Sequence, residues 1–250
     1  MLTLDGVVLR FGGLAAVDRL SLEVVEKSIT ALIGPNGAGK TTAFNLISGV
    51  YAPMAGTIRF QTRDIAGMKP YQVNEIGIAR TYQNIRLFGR MTALDNVLVG
   101  RHTRGTCGIV HHLLRTPRQR QEERGLTEKA HEILEFVGLS ARASELAMSL
   151  PYGEQKRLEI ARALASDPHL LLLDEPVAGM NAREKADLRD VILRIRERGQ
   201  TIFLVEHDMK IVMGMADAVY VMNYGKCIAV GTPEEVQRNQ VVIEAYLGSE

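Results

Sequence analysis

The sequence has little of several residue types that particular functions need. Among its 250 residues it has no tryptophan, only 5% aromatic residues and two cysteines, Cys107 and Cys227. Carbohydrate-binding and base-stacking surfaces depend on aromatic side chains, and this sequence has few aromatic side chains from which to build such a surface. The cysteines are far apart and form no CxxC pair. We expect small buried or half-buried thiols in a reducing compartment, not a disulfide or metal site.

The sequence also lacks an excess of either charge and a long hydrophobic run. It has 30 Lys and Arg residues against 29 Asp and Glu residues, for a net charge of +1. Binding to a phosphate backbone needs clustered positive charge, so we expect no nucleic-acid partner. No apolar run approaches the roughly 18 residues of a membrane span, and the first residues lack the pattern of a signal peptide. We therefore expect a cytosolic chain that does not cross a bilayer.

The distribution of hydrophobic residues predicts an α/β fold. Residues 2–8 and 17–25 have a strand pattern and are separated by Gly12 and Gly13, which predicts an antiparallel layer. Four short runs are apolar at every or nearly every position, as is typical of parallel strands covered by helices on both faces: 29–33, 170–173, 202–205 and 218–222. The sequence therefore predicts a mostly parallel, buried sheet, with helices at 41–48, 154–166, 183–198 and 208–215.

Residues between about 85 and 150 have a different pattern. No fully apolar run occurs there, and a helical period is shown by Leu126, Ala130, Ile133, Leu134 and Val137. We predict a single domain with residues 1–84 and 158–250 as its core and residues 85–157 as an inserted helical subdomain. The charged segment 101–124 is interpreted either as a solvated face or as a contact for lipid headgroups or a partner.

Residues 34–41 form a phosphate-binding motif. They match G-x-x-x-x-G-K-[ST] at every fixed position and stand between a predicted strand and a predicted helix. The glycines let backbone amides turn toward a phosphate, and the helix N-terminus adds its positive end. We expect Lys40 to reach the β and γ phosphates and the Thr41 hydroxyl to bind Mg²⁺. The residues predicted to bind nucleotide here are Gly34, Pro35, Asn36, Gly37, Ala38, Gly39, Lys40, Thr41 and Thr42.

Two carboxylates and a histidine follow predicted buried strands. Asp174 and Glu175 come directly after the run 170–173, and His207 follows the run 202–205. Parallel α/β sheets bind ligands at the carboxyl ends of their strands. Because neighbouring strand residues point in opposite directions, we assign Asp174 to Mg²⁺ and Glu175 to the attacking water, as general base or orienting group. His207 is predicted to sense the γ phosphate; alternatively, it only precedes a helix.

Together with residues 150–164, these motifs resemble the ATP-binding cassette family over essentially the whole chain. The resemblance implies a P-loop NTPase (RecA-like) core with a mostly parallel sheet, an N-terminal antiparallel β layer and an inserted helical subdomain. It implies that Phe11 stacks on adenine, and that Gln83 contacts Mg²⁺ and relays nucleotide state to a membrane partner. Without the resemblance, Phe11 could equally be a core residue at the end of a strand, and Gln83 would be interpreted as a surface polar group. Residues 178–181 would face another subunit, and the signature loop would be Leu150, Pro151, Tyr152, Gly153 and Glu154.

Finer features resemble one branch, the ATPase subunits of bacterial branched-chain amino-acid importers. They are the segments 81–88, 114–118 and 244–248. The branch implies Mg-dependent ATP hydrolysis, a second ATPase subunit in a homo- or heterodimer, membrane permease subunits and, indirectly, a periplasmic solute-binding protein. It implies a peripheral location at the cytoplasmic face of the inner membrane. Nothing in the sequence would touch the amino acid, so the substrate rests on resemblance alone.

The signature loop departs from Leu-Ser-Gly-Gly-Gln, the commonest form in the family. Pro151 stands at the serine position and has neither a hydroxyl nor an N–H group. Tyr152 and Glu154 replace Gly and Gln, and Asn181 stands where aspartate is usual. Proline is compatible with a helix start, so we expect the fold to be unaffected. The Gly153 amide and the helix N-terminus would then make most of the signature contact.

Other functions share part of this pattern. A cassette ATPase of another transporter, such as a lipid or polysaccharide exporter, would have the same motifs. A soluble cassette ATPase acting on DNA or ribosomes would normally have heptad arms or two cassettes. A kinase or GTPase would need a substrate lid or a guanine-reading motif. The sequence shows no heptad arms, second cassette, substrate lid or guanine-reading motif, which favours a transport ATPase.

Overall fold

The computed structural model describes residues 1–102 and 117–247. Cys107, most of the charged segment 101–124 and most of the segment 114–118 lie outside the described residues. Cys227 is half-buried, as expected, and burial raises the pKa of its thiol.

The N-terminal layer is an antiparallel sheet. Its strands are β1 (Leu2–Phe11), β2 (Leu14–Val24), β4 (Ala55–Phe60) and β5 (Arg63–Asp64). They lie in the order β2-β1-β4-β5. The predicted turn at residues 12–13 is confirmed, but β1 and β2 are longer than predicted and β4 and β5 were not predicted. The layer therefore has four strands instead of two.

The second sheet has six strands in the order β10-β9-β3-β8-β7-β6. Their bounds are Ile29–Ile33 for β3, Ile78–Arg80 for β6, Leu170–Asp174 for β7, Thr201–Val205 for β8, Ala218–Asn223 for β9 and Lys226–Gly231 for β10. All pairs are parallel except β9 with β10. Every residue of β3, β7 and β8 is buried, so the prediction of a mostly parallel, buried sheet is confirmed.

Nine α-helices occur in the described residues. They are α1 (Lys40–Ile47), α2 (Pro70–Glu75), α3 (Ala93–Arg101), α4 (Pro117–Phe136), α5 (Tyr152–Leu164), α6 (Ala182–Glu197), α7 (Met209–Met213), α8 (Pro233–Arg238) and α9 (Gln240–Leu247). The four predicted helices correspond to α1, α5, α6 and α7. Described residues between 85 and 151 contain α3, α4 and no strand.

The core lies on both faces of the parallel sheet. Leu170 and Leu172 of β7 pack with α1 and the antiparallel layer, whereas Leu171 and Leu173 pack with α5 and α6. This alternation explains why the run is apolar at every position. Asp174 continues the register of Leu170 and Leu172, which directs it toward the α1 side. Within the described ranges, no helix is long and apolar enough to span a membrane.

Candidate nucleotide-binding site

The loop of residues 34–39 joins β3 to α1, and two of its glycines admit no other residue. Gly34 and Gly39 have φ angles of +148° and +102°. A Cβ atom at Gly34 would lie 2.1 Å from the carbonyl oxygen of Met222, and one at Gly39 would lie 2.3 Å from that of Ala16. Other L-residues would therefore be strained and would clash with backbone. The loop has the close-packed, left-handed backbone that an amide cradle for phosphate needs.

Lys40, the first residue of α1, is buried in this loop. Its Nζ donates hydrogen bonds to the carbonyl oxygens of Gly34 at 2.7 Å and Pro35 at 3.0 Å. Burial lowers the pKa of Lys40, while the negative charges of Glu175 and Asp174 act in the opposite direction. The ammonium group thus lies at the base of the loop, within the field of both predicted catalytic-site carboxylates.

A cavity of about 630 Å³ lies over the loop. This volume is in the range of small-molecule sites. Phe11, residues 36–42, Gln83 and Glu175 line it, as do four residues that the sequence did not single out: Leu14, Ala15, Ala16 and Tyr224. Phe11 is 47% exposed and its ring centroid lies 5.3 Å from that of Tyr51. Its interpretation as an ordinary core residue is therefore wrong.

Asp174 is buried, and only one of its two carboxylate oxygens has a partner within the described residues. Its Oδ2 lies 2.7 Å from a guanidinium nitrogen of Arg80, and only 2% of the side chain is exposed. Its Oδ1 is buried and has no hydrogen-bond partner within the described part of the chain. Leaving a buried carboxylate oxygen unsatisfied is costly, which favours a cation at that position.

The oxygen donors of Thr41 and Asp174 are of the kind that Mg²⁺ prefers. The Thr41 hydroxyl lies at the cavity wall, and Asp174 supplies one free carboxylate oxygen. Described residues contain no group of three or more His, Cys, Asp or Glu side chains that could hold a metal alone. Mg²⁺ typically uses one or two protein ligands together with substrate phosphates and water, so these residues fit it.

Glu175, Gln83 and His207 meet at the edge of the cavity. Oε2 of Glu175 accepts a hydrogen bond from Nε2 of Gln83 at 3.1 Å and lies 3.5 Å from Nδ1 of His207. Glu175 also has a φ angle of +46°, a left-handed conformation that is unfavourable for a non-glycine residue. Such conformations cluster at functional sites. The structure brings together three residues that the sequence placed on three separate segments.

The signature loop does not line the cavity over the phosphate-binding loop. Pro151 is the N-cap of α5, so the expectation that the helix tolerates this proline is confirmed. Together with Gly153 and Glu154, Pro151 lines a separate cavity that also includes Asn181, and no described residue of the signature loop lines the phosphate cavity. Within one chain, the signature loop therefore lies outside the lining of the cavity over residues 34–39.

The segment 178–181 contacts the signature loop. The Tyr152 hydroxyl donates a hydrogen bond to the Ala178 carbonyl oxygen at 3.1 Å. Asn181 is the N-cap of α6, and its side chain accepts from the amide of Glu184 at 3.0 Å. Asparagine caps helices as well as aspartate does, so the replacement at position 181 preserves the local structure.

A family model described as ABC transporter matches residues 17–178, well over half of the chain. This chain belongs to the ABC transporter family. A second model, described as branched-chain amino acid ATP-binding cassette transporter, matches residues 226–250 of this ABC protein. The family assignment implies ATP hydrolysis.

Known relatives cover nearly the whole ABC protein. The high-affinity branched-chain amino acid transport ATP-binding protein LivG of Salmonella typhimurium is 46% identical over 99% of this chain and 98% of its own length. BraF of Pseudomonas aeruginosa, which has the same description, is 45% identical with the same coverage. The ADP conformation of an ATP-binding cassette of an ABC transporter superposes with a TM-score of 0.87 at 34% identity, covering 100% of this chain and 99% of that one. These matches confirm the predicted fold class.

Several polar residues that organise the site of this ABC protein do not stand out in its sequence. Arg80, which pairs with Asp174, stands at the end of the short strand β6. Glu206 is fully buried and accepts hydrogen bonds from the backbone amides of Val177, His207 and Asp208. Burial raises the pKa of Glu206, while the three amides act in the opposite direction. Its position directly after β8 was the available signal.

Proposed function

We propose that this ABC protein is the ATP-hydrolysing subunit of an importer for branched-chain amino acids. Six relatives with 44–46% identity over 99% of the chain are described as branched-chain amino acid transport ATP-binding proteins. The match of residues 226–250 to a family model for the same transporters supports the assignment. The substrate class comes from this similarity, and the hydrolytic role comes from the site.

The observation that carries the hydrolytic role is the convergence of Lys40, Asp174 and Glu175 at one end of the parallel sheet. The amides of residues 34–41 and the Lys40 ammonium would bind the β and γ phosphates of ATP. Thr41 and Asp174 would hold Mg²⁺, with Gln83 alongside. When bound, Mg²⁺ would neutralise charge on the phosphate oxygens. Phe11, exposed at the cavity wall, would stack on the adenine ring.

Glu175 would direct the attacking water. Its carboxylate accepts the proton of the water as the oxygen bonds to the γ phosphorus and the bond to ADP breaks. Gln83 holds Oε2 of this carboxylate at 3.1 Å, and His207 lies 3.5 Å from the same oxygen. The His207 side chain is 53% exposed, and its imidazole would sense the γ phosphate.

The separation of the signature loop from the phosphate cavity supports pairing with a second ATPase subunit. The Gly153 amide and the N-terminus of α5 would then contact the γ phosphate held by the partner, in a homo- or heterodimer. ATP binding would close the pair and hydrolysis would open it, which drives the permease subunits between their states. The chain would lie at the cytoplasmic face of the inner membrane. A periplasmic solute-binding protein would be an indirect partner, since it would deliver the amino acid to the permease subunits.

The experiment is transport by the assembled system in liposomes, with ATP hydrolysis measured in parallel. Glu175→Gln should lower ATP turnover and leucine uptake by about 10²- to 10⁴-fold, the contribution of a general base, while ATP affinity changes only a few-fold. Glu135→Gln, on the exposed side of α4, is the matched control and should leave both unchanged.

Two results would contradict different parts of the proposal. Unchanged ATP turnover in Glu175→Gln would remove this residue from its catalytic role. Normal ATP turnover without uptake of leucine, isoleucine or valine would instead assign the cassette to another transporter, such as an exporter of lipid or polysaccharide.

A further inference from the structure

One face of α5 carries buried charged side chains. Lys156 and Glu159 are three residues apart, which places them on the same side of the helix. Their side chains are only 2% and 1% exposed. Lysine and glutamate are almost never buried to this degree unless they have partners. Their partners are mainly backbone atoms of one neighbouring loop, residues 82–86.

Both side chains hold the main chain of this loop. The Lys156 ammonium donates hydrogen bonds to the carbonyl oxygen of Gln83 at 2.7 Å and to that of Tyr82 at 3.2 Å. Oε1 of Glu159 accepts from the amides of Tyr82 at 3.4 Å and Arg86 at 3.3 Å. Because the contacts are to backbone groups, they fix the path of the loop.

The two charges also stabilise each other. Nζ of Lys156 lies 3.9 Å from Oε2 of Glu159. Burial lowers the pKa of Lys156 and raises that of Glu159, and each charge opposes the shift of the other. A buried ion pair is weak evidence for added stability, since desolvation offsets the attraction. The arrangement is better explained by what it positions.

What it positions is Gln83. The carbonyl group of this residue is held by Lys156, and its side chain donates to Glu175. Pro151 of the signature loop is the N-cap of the same helix, a little over one turn before Lys156. One helix thus connects the signature loop to the backbone of the residue that contacts Glu175.

We propose that Lys156 and Glu159 are positioning residues that act on Glu175 through Gln83. They bind the loop of residues 82–86 to α5, so that a movement of the signature loop shifts Gln83 relative to the carboxylate of the same chain. The nucleotide of one subunit would thereby influence hydrolysis in the other. This inference rests on the proposed roles of Gln83 and Glu175, and its first test is independent of them.

The first test is hydrogen exchange of the purified full chain. Lys156→Met removes the ammonium donors, and Lys156→Met with Glu159→Leu replaces the pair by apolar side chains of similar size, a change that folds usually tolerate. Amides of residues 82–86 should exchange roughly 10- to 100-fold faster in both variants, given the strength of hydrogen bonds to charged groups. Lys129→Met, which breaks an exposed pair with Glu132 on α4, is the control and should not change them. Unchanged exchange in the double variant would overturn the proposal.

The second test is a double-mutant cycle in ATP hydrolysis. Lys156→Met should lower kcat about 10- to 100-fold with little change in KM, the size expected for a misplaced catalytic group. In a Gln83→Ala background the same substitution should have no further effect, since its route to Glu175 is already absent. Lys129→Met should leave kcat unchanged in both backgrounds. Additive losses would show that Lys156 does not act through Gln83 and would overturn the proposal, even if the exchange data show the loop released.

Discussion

Replacing Arg80 by methionine removes a buried cation and keeps most of its aliphatic stem. The Arg80 side chain is 6% exposed, and its guanidinium group lies 2.7 Å from Oδ2 of Asp174. It also donates hydrogen bonds to Oδ1 of Asn45 at 2.7 Å and to Oγ of Ser48 at 2.8 Å. Arg80 therefore connects the end of β6 to β7 and to the helix that follows the phosphate loop.

The size of the effect follows from this burial. Removing one partner of a buried ion pair costs about 3–5 kcal/mol, because the remaining charge is left without compensation in the protein interior. This is a large part of the roughly 5–15 kcal/mol that stabilises a typical domain. Adding Asp174→Asn removes the uncompensated carboxylate charge. The double variant should therefore lose less free energy of unfolding than the sum of the two single losses.

The assay is urea denaturation of the purified chain without nucleotide, which gives the free energy of unfolding. Lys226→Met is the control, since Lys226 pairs with Asp18 at 3.4 Å while its own side chain is 64% exposed. An exposed pair contributes about 0.2–1 kcal/mol, so the control should lose no more than that. A loss below about 1 kcal/mol for Arg80→Met, or strict additivity with Asp174→Asn, would refute the reasoning.

Three further predictions concern the phosphate loop, the adenine site and pH. Gly39→Ala would place a Cβ 2.3 Å from a backbone oxygen at a φ of +102°, and calorimetry should show ATP affinity reduced roughly tenfold or more; Gly13→Ala, with nothing within 4 Å, should bind normally. Phe11→Ala should weaken ATP binding about 5- to 150-fold if the ring stacks on adenine, and unchanged affinity would contradict stacking. The Lys185 ammonium, 2.7 Å from Asp208, holds the pKa of that carboxyl below its ordinary value of 3.8. The pair therefore stabilises the fold above pH 3.8 and loses this effect as pH falls through the lowered pKa. Lys185→Met should be less stable than the parent at pH 7 and equally stable in strong acid. A difference in the free energy of unfolding that stays constant with pH would contradict this.

The elements that the sequence predicts well are those with a strong local pattern. β3, β7 and β8 are buried at every residue, so their apolar runs identify them. By contrast, the first residues of β4 are exposed, and this strand pairs with β1, more than forty positions earlier in the chain. Pairing with a distant strand has no local signature in the chain. β10 is a mostly half-buried edge strand that pairs with β9 across a short turn.

The same distinction applies to the site. The phosphate loop is a continuous motif, and its residues could be named from the sequence because spacing alone identifies them. The contacts of Arg80 with Asp174 and of Lys156 with Gln83 join residues more than seventy positions apart. The left-handed backbone at Glu175 was also unpredictable, since a glutamate gives no sign that its φ angle is positive.

The most direct test of the central claim is a crystal structure of the Glu175→Gln variant with ATP and Mg²⁺. We expect the triphosphate on the amides of residues 34–41, with Mg²⁺ held by the Thr41 hydroxyl and Oδ1 of Asp174. We also expect the signature loop of a second copy to contact the γ phosphate. Triphosphate bound away from residues 34–41, or a metal remote from Asp174, would contradict it.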